Sequence, residues 1–327
     1  MKILIVGCGS IGMRHLNNFK KIDNWRISVF RTSCDDMAGF EKKNGVKVFN
    51  DFKKALGEKP DAVVISNPTN LHVKYAIMAA KAGCHLLIEK PLSDSTKGID
   101  SLIEIIAKKK LIALVGCNLR FNRQLARIKE LLGQNAIGKV YFARLSVGSY
   151  LPQWRPGSNY AKSYSGNKKM GGGVVLDLIH EIDYALWLFG DVVGVNANVG
   201  KLSKLEIDTE DYAEIFMKFK NGVSAQIHMD YLNRYLAREC EIIGESGNIK
   251  WNYATNTLEI SNINKKAPDI SVLKEYDRNE MYEAEIRHFA NCISGKEKPL
   301  VSIHDGKRAL EVALKAKKIG MKNIKKI

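Results

Sequence analysis

Lys2-Ile3-Leu4-Ile5-Val6 runs directly into Gly7-Cys8-Gly9-Ser10-Ile11-Gly12 near the start of the chain. A short unbroken apolar run reads as a strand buried on both faces, and the glycine pattern after it opens a helix. G-x-G-x-x-G alone is weak, but between a strand and a helix it predicts a dinucleotide-binding turn. Gly7 permits the tight turn, Gly9 lets the backbone approach a pyrophosphate, and Gly12 brings helix and strand together. Ser10 and Ile11 begin the helix whose positive N-terminus would face the phosphates.

Working outward, the pattern repeats to about residue 118. Apolar strands are expected at 3–6, 27–30, 62–65, 85–88 and 112–115, with helices at 11–20, 71–80 and 99–108 between them. Such alternation is that of βαβ units and a parallel sheet. Ser93, Asp94 and Ser95 are candidate caps for the helix after Pro91. From 119 the rhythm changes. A helix near 121–132, a strand at 138–147 and a polar, aromatic loop at 150–169 lead to a helix at 174–188. Strands follow at 192–199, 212–220, 223–231, 238–243 and 248–251, and Asn221-Gly222 is a hairpin signal between two of them. Helices near 278–293 and 304–319 close the chain. The fold class is α/β, a parallel sheet domain (1–118) followed by an α+β domain (119–327) with a large, open, mostly antiparallel sheet.

Ligands of open α/β sheets bind beyond the carboxyl ends of the strands. Glu89-Lys90-Pro91 occupies that edge, so Lys90 is the first candidate for proton transfer next to a nicotinamide, the alternative being an ion pair with Glu89. The second strand ends in Phe30-Arg31-Thr32-Ser33 with no carboxylate until Asp35. Arg31 could pair with a 2′-phosphate and the two hydroxyls could add hydrogen bonds, which favours NADP(H), with NAD(H) as the second choice. Asn67, Pro68 and His72 follow the strand at 62–65 on the nicotinamide side, where Thr69 or Asn70 could simply cap a helix.

The second half offers Gly171-Gly172-Gly173 followed by Asp177, His180, Asp183 and Tyr184. On one continuous helix, Asp177, His180 and Tyr184 share a face with Asp183 nearby, and carboxylate and imidazole there could relay a proton. Three glycines disfavour a helix start unless something must approach the backbone closely. In the preceding loop, Trp154, Arg155, Tyr160 and Tyr164 suit a sugar ring bearing an acidic group; the alternative is aromatic packing within the domain or against a neighbouring subunit.

Composition narrows the classes further. The 327 residues are 45% hydrophobic with no low-complexity tract, and no apolar run reaches membrane-spanning length. The start reads as a strand rather than a signal peptide, and six cysteines lie scattered without C-x-x-C spacing, which together point to a cytoplasmic protein. The net charge of +16 is spread as lysine, about threefold in excess of arginine, through every segment. That distribution describes a solvated surface rather than a nucleic-acid footprint. Seven histidines form no H-x-x-x-H or H-E-x-x-H, so no metal site is expected, and no G-x-S-x-G elbow marks a nucleophile.

The ordered set of Gly7-x-Gly9-x-x-Gly12, Asn67-Pro68 with His72, Glu89-Lys90-Pro91, Arg120-Phe121-Asn122 and His180-x-x-Asp183 resembles the Gfo/Idh/MocA oxidoreductase family across essentially the whole chain. Within it, the segment from Leu151 to Tyr184 looks most like members associated with bacterial surface sugars and nonulosonic acids. The resemblance implies a Rossmann domain with Glu89 and Lys90 at the cofactor, and a second domain that binds substrate and forms a homo-oligomer, dimer or tetramer, through its sheet. It implies hydride transfer between nicotinamide and a carbon of a sugar, nucleotide sugar or polyol. Lys90 and His180 would take part in proton transfer, Asp177 or Asp183 would orient a substrate hydroxyl, and Arg120 would contact substrate. The family's aspartate commonly stands four residues before its histidine. Here Leu176 holds that place and Asp177 is three before His180, which gives weight to Asp183. The competing class is a dinucleotide-binding sensor or scaffold without turnover.

Overall fold

The computed structural model of the chain describes residues 1–22, 25–32 and 36–324, with side chains to residue 322. The first part comprises β1 (Lys2–Val6), α1 (Ser10–Phe19), β2 (Arg26–Phe30), α2 (Met37–Asn44), β3 (Lys47–Phe49) and α3 (Phe52–Gly57). It continues through β4 (Ala62–Ile65), α4 (His72–Lys81), β5 (His85–Glu89), α5 (Ile99–Lys109) and β6 (Ala113–Gly116). Next come α6 (Arg123–Gly133), β7 (Val140–Gly148), α7 (Val174–Asp177), α8 (His180–Phe189), β8 (Val192–Gly200), β9 (Tyr212–Phe219) and β10 (Ser224–Asp230). β11 (Ala237–Gly244), β12 (Gly247–Asn252), β13 (Thr257–Asn262), β14 (Asp269–Val272), α9 (Asn279–Ile293) and α10 (Ile303–Ile324) complete the chain.

Two compact units result, Met1–Asn118 with Asn279–Lys307, and Leu119–Arg278 with Arg308–Ile327. The expected second domain, 119–327, is thus interrupted, because α9 packs with the parallel sheet. Ile286, Phe289 and Cys292 recur at helical spacing and are buried with Ile3, Ile5, Val64, Leu87 and the α1 residues Leu16 and Phe19.

In the first unit the strand order is β3-β2-β1-β4-β5-β6, and every pair is parallel. The order reverses between β1 and β4, the switch point at which such sheets take ligands. Every residue of β4 is buried, as a strand covered on both faces requires. The cap expected at Ser93–Ser95 is not used: α5 starts after Gly98 at φ +79° without a side-chain cap. Nor does Thr69 or Asn70 cap α4, which follows Leu71 without a side-chain bond.

The second unit has eight strands in the order β14-β13-β12-β11-β7-β10-β9-β8. All pairs are antiparallel except β7 with β10. Alternation is clean along β9 and β10: Ala213, Ile215, Met217, Ala225, Ile227 and Met229 are buried, and Phe216 on the opposite face is 51% exposed. Asn221-Gly222 makes the expected hairpin, with Gly222 at φ +91°. The helix anticipated over 174–188 is broken. α7 ends at Asp177, and Leu178 and Ile179 separate it from α8.

Candidate functional site

Gly7, Gly9 and Gly12 line the carboxyl end of β1, and each meets a different constraint. Gly7 sits at φ +91°, and a Cβ there would lie 2.9 Å from the Asn67 backbone. A Cβ on Gly12 would lie 2.1 Å from the Gly7 carbonyl oxygen and 2.8 Å from Ser66 Oγ. Side chains are therefore excluded at both. A Cβ on Gly9 meets nothing within 4 Å, so the turn is open where a pyrophosphate would approach. Exposed Ser10 and half-buried Ile11 begin α1, whose N-terminus has neither a side-chain cap nor an acidic residue in its first turn. That end keeps its N–H groups and positive potential for an anion.

The neighbouring strand ends are tied to this turn. Ser66 Oγ donates to the carbonyl oxygens of Val6 and Gly7, at 3.1 Å each. Asn67 Oδ1 is buried and has no hydrogen-bond partner among the described residues. His72, expected as a cofactor contact, is buried between two backbone carbonyls. Its ring nitrogens lie 2.9 Å from the Pro91 oxygen and 2.8 Å from the Asn67 oxygen, so it links the β5 turn to the β4 turn. Burial lowers its pKa, against the opposing pull of those two carbonyls. Pro68 is half-buried before the turn at Thr69–Leu71.

Glu89 also faces inward. One carboxylate oxygen is 2.6 Å from His15 Nε2 and the other accepts the Lys90 N–H at 3.2 Å. Lys90 itself is half-buried at the sheet edge, and its bond to Pro91 is cis. Arg31 follows β2 with its guanidinium carbon 4.7 Å from the Phe40 ring centroid. Thr32 is exposed, and Ser33 lies outside the described residues. Asp36 caps α2 by accepting the Gly39 N–H at 2.7 Å, which occupies the first described carboxylate after β2.

In the second unit the charged groups of the α7–α8 region are bound by the protein itself. Asp177 accepts the Tyr164 hydroxyl and, at 3.2 Å, the Tyr231 hydroxyl. Asp183 is held bidentately by Arg120, at 3.0 Å from Nε and 2.7 Å from Nη2, in a pair that is 3% and 1% exposed. Asp183 and Arg120, each expected to touch substrate, pair with one another. Glu181, completely buried, accepts from Arg238 Nε at 2.7 Å. Asn122, next to Arg120 in the recognised motif, caps α6 through the N–H groups of Gln124 and Leu125. His180, buried, is the first residue of α8, and the break after α7 removes Asp177 from its helical face.

The glycine run does meet a close approach, but from its own chain. A Cβ on Gly172 would lie 2.1 Å from the Tyr164 oxygen, and one on Gly173 would lie 2.4 Å from the Glu210 carboxylate. Of the loop residues, Trp154 donates to the Ser149 carbonyl at 3.3 Å and sits edge-on to Tyr231, while the Tyr160 hydroxyl accepts the Glu206 N–H at 3.4 Å. Arg155 is exposed. His15, Ser66, Tyr231, Arg238 and Glu285 escape a reading from sequence. Only Ser66, beside Asn67-Pro68, carries a local signal.

Comparison with known proteins identifies the family. A model described as the oxidoreductase family's NAD-binding Rossmann fold matches residues 1–117, and the GFO/IDH/MocA C-terminal domain matches residues 125–250. The chain is 30% identical to myo-inositol 2-dehydrogenase of Thermotoga maritima, covering 97% of this chain and 96% of that protein. The solved UDP-N-acetylglucosamine 3-dehydrogenase GnnA of Acidithiobacillus ferrooxidans is 25% identical with a TM-score of 0.82, covering 98% and 97%. Levoglucosan dehydrogenase in complex with NADH and levoglucosan shares the fold, with a TM-score of 0.89 at 20% identity and coverage of 98% and 97%. The chain belongs to the GFO/IDH/MocA oxidoreductase family.

Proposed function

We propose that this protein is a nicotinamide-dependent oxidoreductase of sugars, nucleotide sugars or related polyols. One observation carries the reading. The carboxyl ends of β1, β4 and β5 bring an open glycine turn, Asn67 and Lys90 to one sheet edge, and Ser66 and His72 fix their spacing. The uncapped end of α1, the open space at Gly9 and Asn67 Oδ1, which has no hydrogen-bond partner among the described residues, fit a bound dinucleotide. When bound, nicotinamide supplies or accepts the hydride.

Lys90 takes the proton from the substrate hydroxyl as its carbon loses hydride, or returns it in the reverse direction. His180 is the second acid–base group of this reading. Asp183 and Arg120 hold the first turn of α8, and Asp177 anchors the Tyr164 loop through the two tyrosines. Arg155 remains the loop's candidate for an acidic group on the substrate. Relatives named for inositol, levoglucosan and UDP-N-acetylglucosamine support the substrate class. Incubating the protein with such compounds and each oxidised cofactor should change the absorbance of reduced nicotinamide. No change with any of them, in either direction, would remove the reading.

NADP(H) is the preferred cofactor in this proposal, because Arg31 is held beside Phe40 and Asp36 is engaged in its cap. Arg31→Ala should weaken NADPH binding by about tenfold or more, a loss of one charge-assisted pair, and leave NADH nearly unaffected. Titration of nicotinamide fluorescence measures both, and equal losses would refute the assignment. The face of the large sheet carrying Phe142, Phe216 and Gln226 is proposed to join copies of the chain. No helix of the described residues is long and apolar enough to cross a membrane. Cys84, Cys240 and Cys292 are buried free thiols, which suits the proposed cytoplasmic location.

A further inference from the structure

Within the first unit, three ionisable side chains meet beneath the turn that carries Lys90. His15 on α1 and Glu285 on α9 are completely buried, and Glu89 at the end of β5 is 6% exposed. One donor atom from each lies within 4.8 Å of the others. Glu89 bridges His15 and the Lys90 N–H, whereas both oxygens of Glu285 are buried without a hydrogen-bond partner among the described residues. Gly116 leaves room for the cluster, since a Cβ there would lie 3.2 Å from the Glu89 carboxylate. Around it, α1 and α9 pair through Asn18 with Asn279 and Lys21 with Glu283, and Arg14 lies over the Tyr282 ring. Lys21 and Arg14 are directed to those partners, and among the described residues His15 and Glu89 place their ligating atoms within 4.8 Å of the Glu285 carboxylate.

A buried carboxylate needs a cation or a proton. The donor set of one imidazole and two carboxylates could hold a metal ion, but the spacing argues for a proton. Ligands about 2.0–2.1 Å from a tetrahedral ion stand roughly 3.3 Å apart, and His15 and Glu89 are 2.6 Å apart, a hydrogen-bond distance. We propose that Glu285 is kept as the un-ionised acid beneath the Lys90 turn. Burial, and then the charge of Glu89, push the Glu285 carboxyl well above its ordinary range. Glu285 is then a positioning residue. Its proton lets Glu89 keep its bonds to His15 and to the Lys90 amide, where a second negative charge would drive the cluster apart. The consequence for catalysis rests on the proposed role of Lys90; the protonation state does not.

A carboxyl raised in the folded protein favours folding below its unfolded value, and that contribution disappears as pH rises through the raised one. Glu285→Gln, which mimics the neutral acid and cannot ionise, should therefore gain in Tm relative to the unsubstituted protein as pH goes from neutral to alkaline. Infrared difference spectra should show the C=O band of an un-ionised carboxylic acid at neutral pH, lost in Glu285→Gln. A pH-independent Tm difference, no such band, or a stoichiometric metal released on denaturation would each overturn the proposal. If the variant does not fold, the unsubstituted protein suffices: its acid band must persist at neutral pH and vanish on alkaline titration. These readouts need no substrate, so they stand apart from the oxidoreductase reading.

Discussion

Replacing Lys90 by methionine should lower kcat by about 10²–10⁴, the usual worth of a positioned general acid or base, while cofactor affinity changes little. The reason is spatial. Cofactor contacts in this reading come from the glycine turn and the uncapped end of α1, formed by residues 7–12, together with Asn67 and Arg31. Lys90 belongs to a different strand end, anchored by the bond of its N–H to Glu89 and by the His72 link to Pro91. Those anchors use backbone atoms, so methionine, close to lysine in length, should leave the turn intact. Binding of the reduced cofactor, followed by fluorescence, separates the outcomes. If kcat is unchanged, proton transfer belongs elsewhere. If cofactor binding falls in parallel with kcat, Lys90 is a cofactor ligand rather than a base. The same comparison on His180→Ala tests the second group, and a sensor without turnover would lose nothing in either variant.

What was legible in the sequence is what short range determines. Ile3-Leu4-Ile5-Val6 and Ala62-Val63-Val64-Ile65 announce buried parallel strands because both faces must be apolar, and the glycine turn announces itself by steric need. β3 has three residues, α2 buries none, and β14 is exposed throughout, so none of them imposes a periodic pattern. The break between α7 and α8 carries no proline or glycine at Leu178-Ile179 to mark it. Beyond local pattern, the partners of a charge stay hidden. Asp183 reads as a relay residue until Arg120, 63 residues earlier, is found against it. Glu89 reads as a cofactor contact until His15 is found there, 74 residues away. A sequence indicates that a buried charge needs a partner, but chain folding selects which one.

The Arg120–Asp183 pair gives the largest expected effect on stability. Breaking the pair from one side, as in Asp183→Leu or Arg120→Met, separates a buried charge from its bidentate partner and should cost about 3–5 kcal/mol. Both side chains are almost fully excluded from water, so solvent cannot take the missing partner's place. Replacing both at once, Arg120→Met with Asp183→Leu, removes both charges and should recover most of that loss. Urea denaturation of the three variants completes the cycle. The pair also bears on activity through position, because Asp183 stands one helical turn after His180, the first residue of α8. Loosening that turn should lower kcat in the single variants wherever His180 transfers a proton. A different result would restore the direct role for the carboxylate. If Asp183→Asn raises KM while its denaturation midpoint stays that of the unsubstituted protein, Asp183 orients a substrate hydroxyl and Arg120 is dispensable to the fold. A midpoint that drops with KM unchanged assigns Asp183 to the support of α8, the role its two bonds to Arg120 describe.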